Sequence, residues 1–539
     1  MLPGHSAARS PIGETRRKPR TEVYDMGKLT RKASGVPFVT AVLMAGLLCA
    51  CGESAVDEGP RAPGETQEGG AQTASAEELP TLLTALDSLP EGTQMALEPW
   101  TGDLPDMAER RVVRLLTVHE PMFFGFDGRR QSGLIAEAAV ALEEFLNQRL
   151  ERNRLRVVVI VQPVTRDLLV PFLEEGRGDI AAAGLTITPE RLERVDFANP
   201  TATGISEIVV TGPGNEAEIP SRVEDLGSLE LHVRPSSSYW ESLQTLDQDL
   251  RDQNLESLNL VAVDEVLDAA DLLEQVSSGN SPATVVDAYQ AEFWSKIYPG
   301  LVLHPDLALR TDGEIGWAIR KGSPVLKDAL DDFLRQYRPG TLSGNILLNR
   351  YTQDTSRVQR VRRAEHAHSL TRLRSSFEEH ATAYELDWVL LVAQAFQESR
   401  LGADTENSHG AVGIMQIKPA SAAEAGVDDI STDDSNIEGG AAYLRYLIDN
   451  YFDDPGLDPT LRQLFAIAGY NAGPTRIRSL RRKTAAAGLD PNKWFDNVEV
   501  LVAREVGREN LRYVSNIMKY YVTFTLMIEE EAIEDSREP

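Results

Sequence analysis

A glutamate on the apolar side of a predicted helix is the residue of this sequence best placed to do chemistry. At about 100° per residue, one face of that helix carries Trp388, Leu391, Ala395 and Glu398. Burial disfavours the charged form of a carboxyl group, so a glutamate in this position keeps its proton near neutral pH. Glu398 is therefore a candidate general acid, and the alternatives are a salt bridge with Arg400 or a solvated helix end.

Two glycine-bearing segments carry side chains that suit a sugar ligand. Residues 400–416 contain NSHGAVGIMQI and residues 468–475 contain AGYNAGPT, and both segments are predicted to be loops. Glycine lets the backbone approach a ligand closely, while Tyr, Asn and Gln supply hydrogen bonds and a stacking face. The pattern is typical of a binding surface built from loops.

The elements expected to carry these residues are helices. From Arg363 to about Ile528 no strand pattern competes with helical periodicity, and Asp387 is a natural N-cap for the helix of Glu398. This half of the chain is therefore predicted to be a compact all-α domain. Its helices are predicted over residues 365–384, 387–400, 415–424, 434–449, 460–468 and 510–527.

Residues 109–352 follow a different pattern, in which short apolar runs alternate with helical periodicity. VVRLLTV (112–118) and RVVVIVQPV (156–164) read as buried strands, and residues 133–150 between them read as a helix. This order predicts an α/β domain with a largely parallel sheet. Residues 231–246 read as a strand, a Ser-rich turn and a helix start, which either binds an anion or merely caps the helix.

Five motifs of this region follow one another in a recognisable order: VVRLLTV, GDIAAAGLTITPERLERVDFANP, RPSSSYWESL, ATVVDAYQAEFW and GEIGWAIRKGSP. They resemble the family 3 bacterial extracellular solute-binding proteins. The resemblance implies a bilobal α/β domain of the periplasmic-binding-protein type, whose lobes close on an amino acid or small peptide.

This resemblance also implies which residues hold the ligand. Arg191 would bind the α-carboxylate and Asp287 the α-ammonium, which agrees with the preference of guanidinium for carboxylate and of ionised Asp for ammonium. The alternatives are a helix N-cap for Asp287 and, for Arg191, a surface ion pair with Glu193 or Asp196. Two further hydrogen-bonding residues are implied, Thr186 and Ser237.

The helical half contains five further motifs in order: QESRLGAD, NSHGAVGIMQIKPASA, NIEGGAAYLRYLID, AIAGYNAGPTRI and RENLRYVSNIMKYY. They resemble the catalytic domain of the lytic murein transglycosylases, relatives of goose-type lysozyme. The resemblance implies a lysozyme-like fold over residues 363–528 that cleaves the β-1,4 bond between MurNAc and GlcNAc in peptidoglycan strands. The solute-binding region would regulate or position this enzyme.

The family chemistry implied here needs one carboxyl group. Glu398 would protonate the leaving oxygen, and the C6 hydroxyl of muramic acid would then attack its own anomeric carbon and return a proton to Glu398. The product would be a 1,6-anhydromuramoyl end. A usual hydrolase needs a second carboxylate, which Asp404 or Glu406 would supply. A lysozyme-type hydrolase therefore stays an alternative, as does an amino-acid- or peptide-sensing lipoprotein with an inactive enzyme domain.

Six more residues receive supporting roles from the same resemblance. The resemblance implies that the glycan groove is lined by Ser408, Met415 and Gln416. It also implies that the sugar near the scissile bond is held by Tyr470 and Asn471, and that Glu398 is oriented by Tyr513. Bulky residues are more often core than ligand contacts, so ordinary core packing is the alternative for Met415, Tyr470 and Tyr513.

The N-terminal residues predict export and a lipid anchor. The apolar run VPFVTAVLMAGLLCA follows a basic segment and is too short for a comfortable membrane span, as in a secretory signal. Leu48-Cys49-Ala50-Cys51 resembles a bacterial lipobox, so residues 1–51 are a predicted signal peptide with Cys51 lipidated, on the periplasmic face of the outer membrane. A short uncleaved anchor helix is the alternative.

The remaining composition excludes several classes of partner. Residues 52–108 read as a flexible acidic linker and residues 529–539 as an acidic tail. A net charge of −29 argues against nucleic acid as a partner, because both are anionic. Neither a metal nor another cofactor is predicted, because HExxH-type spacing is missing from the histidine-bearing segments, which contain His366, His368, His380 and His409.

Overall fold

The computed structural model describes residues 96–127, 130–152, 155–213, 219–265, 267–338, 340–359, 369–402 and 410–537. All of them belong to one compact unit, residues 74–539. The predicted signal peptide with Cys51, most of the linker, Ser408, and the acidic pair Asp404 and Glu406 lie outside the described residues.

Short apolar runs form the strands of the first region, as their hydrophobicity predicts. Two of them are buried almost throughout, which fits strands that are covered on both faces. The strands are β1 (Val112–Thr117), β2 (Gly125–Asp127), β3 (Arg130–Ser132), β4 (Val158–Pro163), β5 (Ile180–Thr186), β6 (Asp196–Phe197), β7 (Ala202–Thr211), β8 (Glu230–Val233), β9 (Asn259–Ala262), β10 (Ala283–Asp287) and β11 (Val302–Ile319).

The main sheet is mixed, with strand order β4-β1-β5-β11-β7-β10-β8-β9 and β6 paired to β11. At one end β1 pairs in parallel with β4 and β5, and at the other β8 pairs in parallel with β9 and β10. The long strands β7 and β11 are antiparallel to each other and to their neighbours. The prediction of a largely parallel sheet is therefore wrong at its centre, because the chain passes out along β7 and returns along β11.

These two strands separate two lobes, each with its own apolar core: the first lobe contains β1, β4 and β5, and the second contains β8, β9 and β10. The fold is the bilobal α/β arrangement that the sequence predicts. The helices of this region are α1 (Leu104–Arg110), α2 (Leu134–Arg149), α3 (Leu169–Glu174), α4 (Pro189–Arg194), α5 (Ser238–Asp252), α6 (Ala269–Ser278), α7 (Ala288–Trp294), α8 (Pro324–Tyr337) and α9 (Leu342–Thr352).

The second region is helical, as predicted. Its helices are α10 (Ser369–Ala383), α11 (Trp388–Ser399), α12 (Pro419–Glu424), α13 (Asp433–Leu447), α14 (Pro459–Ala472), α15 (Pro474–Ala486), α16 (Glu499–Glu505) and α17 (Arg508–Arg537).

Several helix boundaries differ from the predicted ones. The helix expected from residue 415 begins at Pro419, because the preceding residues form a turn that is closed by a bridge between Val412 and Ile417. No helix is predicted over α15, whose charged sequence hides the buried Ile477 and Leu480. The last helix continues to Arg537, through most of the predicted acidic tail.

Helix α17 joins the helical region to the first lobe. The hydroxyl of Thr523 donates to the carbonyl of Val161 in β4 at 3.1 Å. The ring of Phe126 in β2 lies 5.6 Å from the rings of both Phe396 and Phe524. One apolar core therefore continues from the first lobe into the helical region.

Candidate active site

The helix that carries Glu398 is fixed at both ends. The side chain of Asp387 accepts from the backbone N–H of Leu390, so Asp387 is the N-cap that the sequence predicts. The helix stops after Ser399 because Arg400 and Leu401 both adopt left-handed backbone conformations, with φ of 58° and 59°. Glu398 therefore lies in the last turn.

The carboxyl group of Glu398 is partly buried and has one hydrogen-bond donor among the described residues. The hydroxyl of Tyr513 in α17 donates to Oε1 at 2.6 Å. Burial raises the pKa of Glu398 to about 7, and the bond from Tyr513 opposes the shift by favouring the ionised form. Glu398 thus holds a proton in the pH range in which a general acid is useful.

Arg400 does not form the alternative salt bridge with Glu398. Its guanidinium lies over the rings of Phe396 and Tyr520, at 4.8 and 5.0 Å from their centroids, and donates to the Tyr520 hydroxyl at 2.6 Å. The arginine therefore points to the junction between α11 and α17, and it makes no contribution to the pKa shift of the acid.

A second carboxylate next to Glu398 would favour a hydrolase. Among the described residues, no aspartate or glutamate contributes to its pKa shift. The candidates Asp404 and Glu406 lie outside the described residues. The described part of the site therefore presents a single carboxyl group.

Tyr470 lies close to the acid. It is in α14, its hydroxyl donates to the carbonyl of Met415 at 2.9 Å, and burial together with Glu398 raises its pKa well above the usual value. Gln416 lies in the adjoining turn with φ of 46°, and its side-chain amide donates to the carbonyl of Gly413 at 2.9 Å. The turn and the tyrosine are thus held together beside Glu398.

The side chain of Met415 belongs to the core. It is completely buried, and it lies so close to Gly440 that a Cβ on that glycine would stand 2.5 Å from the methionine Cγ. The core alternative therefore describes this side chain, and the predicted lining of a groove by Met415 is wrong in this structure.

Tyr470 and Asn471 lie in the last turn of α14, and the prediction of a loop over residues 468–475 is wrong. Gly469 is tolerated inside the helix because it packs against the Phe452 ring, which a Cβ there would meet at 3.2 Å. Gly473, with φ of 92°, ends the helix.

A residue of the site that the motifs do not single out is Asn510 in the first turn of α17. It is 2% exposed, and its side-chain amide donates to Oδ1 of the exposed Asn471 at 2.9 Å. Its only sequence signal is its position one turn before Tyr513. The start of α17 therefore contacts both Glu398 and Asn471.

In the solute-binding region Arg191 is buried and its hydrogen bonds stay within the protein. It donates to the carbonyls of Thr186 and Ser236, both at 3.0 Å, and its Nε lies 3.1 Å from the carboxylate of Glu241. Arg191 thus forms a buried ion pair with Glu241 in α5, which differs from the surface ion pair given as the alternative. Neither Glu193 nor Asp196 pairs with it.

Thr186 and Ser237 have roles in holding the lobes and the helix. The hydroxyl of Ser238 donates to Oγ1 of Thr186 at 3.1 Å, which links β5 to α5. The Ser237 hydroxyl donates to the carbonyl of Arg234 at 2.7 Å and accepts from the N–H of Trp240, so it caps α5. The capping alternative for the Ser-rich turn fits this geometry.

Asp287 lies at the end of β10 and is 1% exposed. It occupies the N-cap position of α7, but its side chain makes no capping bond, and its Oδ1 has no hydrogen-bond partner among the described residues. Burial first, and then the charge of Glu207, raise its pKa to about 7, while Arg166 opposes the shift. A buried carboxylate without a full set of partners is a suitable site for a ligand cation.

The described residues contain no cluster of three or more His, Cys, Asp and Glu side chains that could hold a metal. Across the same part of the chain, no helix is long and apolar enough to cross a membrane.

Comparisons with known proteins match both regions. Residues 129–344 match the family of bacterial extracellular solute-binding proteins, family 3, and residues 375–492 match the transglycosylase SLT domain. Both ranges fall inside the predicted domains.

The curated relatives that this chain resembles include several proteins named membrane-bound lytic murein transglycosylase F. The protein of Maricaulis maris is 32% identical over 378 residues, which cover 65% of this chain and 78% of that protein. The protein of Desulfosudis oleivorans is 29% identical over 372 residues, which cover 66% and 79%. Among solved structures, an ancestral amino acid-binding protein that is a precursor of cyclohexadienyl dehydratase is 24% identical, covering 46% of this chain and 99% of that chain, with a TM-score of 0.38.

Proposed function

The chain belongs to the membrane-bound lytic murein transglycosylase F family and is a peptidoglycan lytic transglycosylase with a solute-binding domain, and on this premise we propose that Glu398 alone is its acid and base. The observation that supports this role is the partly buried carboxyl group, with a pKa of about 7, a hydrogen bond from Tyr513 and no second described carboxylate acting on it.

The proposed reaction proceeds in two proton transfers. Protonated Glu398 donates to the glycosidic oxygen between MurNAc and GlcNAc, and the bond from that oxygen to C1 of MurNAc breaks. The C6 hydroxyl of the same MurNAc forms the new bond to C1, and its proton passes to the carboxylate of Glu398. The acid is restored, water is not consumed, and intramolecular attack gains from proximity.

Product analysis distinguishes the candidate functions. We expect digestion of purified peptidoglycan to release fragments with 1,6-anhydromuramoyl ends, which mass spectrometry separates from reducing ends by the mass of one water. Reducing ends would instead support a lysozyme-type hydrolase with a second carboxylate. Release of no fragments would support a sensing protein with an inactive enzyme domain.

The solute-binding domain is proposed to take an amino acid or a peptide of the cell wall. Asp287 supports this proposal because it is buried and its Oδ1 has no described partner, so it suits the ligand ammonium. Arg191 would meet the ligand carboxylate only after Glu241 moves away, since Glu241 now pairs with it.

Regulation of the enzyme by this ligand is part of the same proposal. The test is to add single amino acids and purified muropeptides to the full chain and to record both the unfolding temperature and the rate of peptidoglycan digestion. A compound that raises the unfolding temperature and changes the rate supports regulation. Stabilising compounds that never change the rate would contradict it.

The relatives are named as membrane-bound, and we propose that a lipid on Cys51 anchors this chain to the periplasmic face of the outer membrane. The lipobox-like order of residues 48–51 supports this site. Cys51→Ser is expected to move the protein from the membrane to the soluble fraction after cell lysis. The matched change Cys49→Ser should leave it on the membrane, and release by the second change alone would assign the lipid to Cys49.

A further inference from the structure

The side-chain amide of Asn510 connects the start of α17 to the end of α14, and both of these helix ends contribute residues to the site. Asn510 lies in the first turn of α17, one turn before Tyr513, which donates to Glu398. Its Nδ2 reaches α14, where it lies 2.9 Å from Oδ1 of Asn471 and 3.4 Å from the carbonyl oxygen of Ala468. The same helical turn therefore contacts the acid and the candidate sugar-binding residue.

The orientation of both amides follows from the backbone. A carbonyl oxygen only accepts hydrogen bonds, so the side-chain atom of Asn510 that faces Ala468 is the NH₂ group. The atom of Asn471 next to that NH₂ group must then be its oxygen. Because the side-chain oxygen of Asn471 accepts the hydrogen bond from Asn510, the NH₂ group of Asn471 points away from this contact.

Burial restricts the movement of the Asn510 side chain. Asn510 is 2% exposed, whereas Asn471 is exposed at the helix end. Oδ1 of Asn510 is buried and has no hydrogen-bond partner among the described residues. A buried amide group without its full set of partners lowers stability, so the site retains Asn510 at a stability cost, which fits a functional role.

We propose that Asn510 is a positioning residue that holds Asn471 as a hydrogen-bond donor toward the glycan. This inference rests on the proposed role of Asn471 in holding the sugar. The substrate group that Asn471 meets would then be an acceptor, such as a carbonyl or hydroxyl oxygen of the sugar, and Asn510 itself would not touch the substrate.

A double-mutant cycle on the full chain tests this role, with soluble peptidoglycan strands as the substrate and kcat/KM for release of anhydro ends as the readout. Asn510→Ala and Asn471→Ala are each expected to lower kcat/KM roughly tenfold, since each removes the same ordered hydrogen bond to substrate. Because Asn510 acts through Asn471, the double variant should be no worse than Asn471→Ala.

Independent losses that multiply in the double variant would overturn the proposal. So would a shift of the pH–rate profile in Asn510→Ala, because that result would place its effect on Glu398. Asn516→Ala is the matched control, since it removes an asparagine of the same helix that lines a cavity with Glu143 and Arg156 of the first lobe, and it should keep wild-type kcat/KM. Failure of the proposed function would show differently, as a wild-type chain that makes no anhydro ends.

Discussion

The helical region and the sheet region each hold a carboxyl group whose pKa burial raises to about 7, Glu398 in the first and Asp287 in the second. Their surroundings differ. Among the described residues, the one other influence on the pKa of Glu398 is a neutral neighbour, Tyr513. Asp287 also responds to the charges of Glu207 and Arg166.

This difference in surroundings suits the two carboxyl groups to different functions. The pKa of a carboxyl group that has only a neutral donor beside it is set by burial and by that donor, so the group can hold and release its proton without a change in neighbouring charge, as proton transfer requires. A carboxyl group inside a cluster of charges changes its protonation when a charged ligand enters the cluster. Glu398 therefore suits catalysis, and Asp287 suits the binding of a charged ligand.

The largest expected effect is on the rate of peptidoglycan cleavage in Glu398→Gln. The amide cannot transfer the proton, so the rate should fall by roughly a hundred- to ten-thousand-fold. Release of anhydro fragments measures it. The control is Glu378→Gln, which changes a partly exposed glutamate that pairs with Arg374 and should keep full activity. Retained activity in Glu398→Gln would show that Glu398 is not the acid.

The next effect concerns the pH dependence of stability at Asp287. Its pKa in the folded chain is about 7, above the ordinary 3.8, so its contribution to stability is fully present below about pH 4 and is lost as the pH rises through 7. About three pH units correspond to up to about 4 kcal/mol. Asp287→Asn should therefore gain stability relative to wild type between pH 4.5 and 8.

Denaturant unfolding at several pH values measures this difference, and Asp252→Asn in the exposed last turn of α5 serves as the control. Parallel stability curves for wild type and Asp287→Asn would mean that Asp287 titrates normally. The comparison between the two carboxyl groups would then fail.

A smaller effect is expected in Tyr513→Phe. Its hydrogen bond lowers the pKa of Glu398, so its loss should raise that pKa further. Because the reaction starts from protonated Glu398, the rate falls as the pH rises through this pKa, and the fall should move to higher pH. The rate at low pH should drop by roughly tenfold, because the acid is no longer oriented.

The pH–rate profile checks both effects. Tyr446→Phe, which removes a surface hydroxyl that donates to Glu424, should leave the profile unchanged. A profile of Tyr513→Phe that moved to lower pH would contradict the assignment of its hydroxyl as the donor to Glu398.

The smallest effect is expected at Glu241, the partner of Arg191. Glu241→Gln removes the carboxylate that competes with a ligand carboxylate for Arg191, so it should increase the thermal stabilisation by amino acids, with an affinity gain of roughly threefold to tenfold. Thermal shifts with each of the twenty common amino acids measure it, beside Glu256→Gln at an exposed position. Weaker stabilisation would show that Glu241 helps to bind the ligand.

Local patterns predicted the parts of the structure that depend on neighbours in sequence. The apolar periodicity and the Asp387 cap place α11 and Glu398 correctly. The end of α14 could not be predicted from local sequence, because glycine permits both a loop and a close packing contact. At Gly469 the close neighbours are the Phe452 ring, which is distant in sequence, and the backbone of Pro474.

Contacts between residues that are far apart in the sequence could not be predicted either. Arg191 meets Glu241, and Asn471 meets Asn510, across separations that no periodicity encodes. The prediction for Met415 failed for another reason: its motif indicates substrate binding, but the same motif also contains residues that pack in the core. The bilobal and helical folds were predictable, whereas the partners inside each site depended on tertiary packing.

The rings of Phe126, Phe396 and Phe524 make the boundary between the two regions part of a shared interior. A protease cut in the connecting segment would leave both halves bound together, whereas separate expression of either half would expose aromatic surface to water and invite aggregation. The two halves therefore depend on each other more than the two-domain order of the sequence suggests.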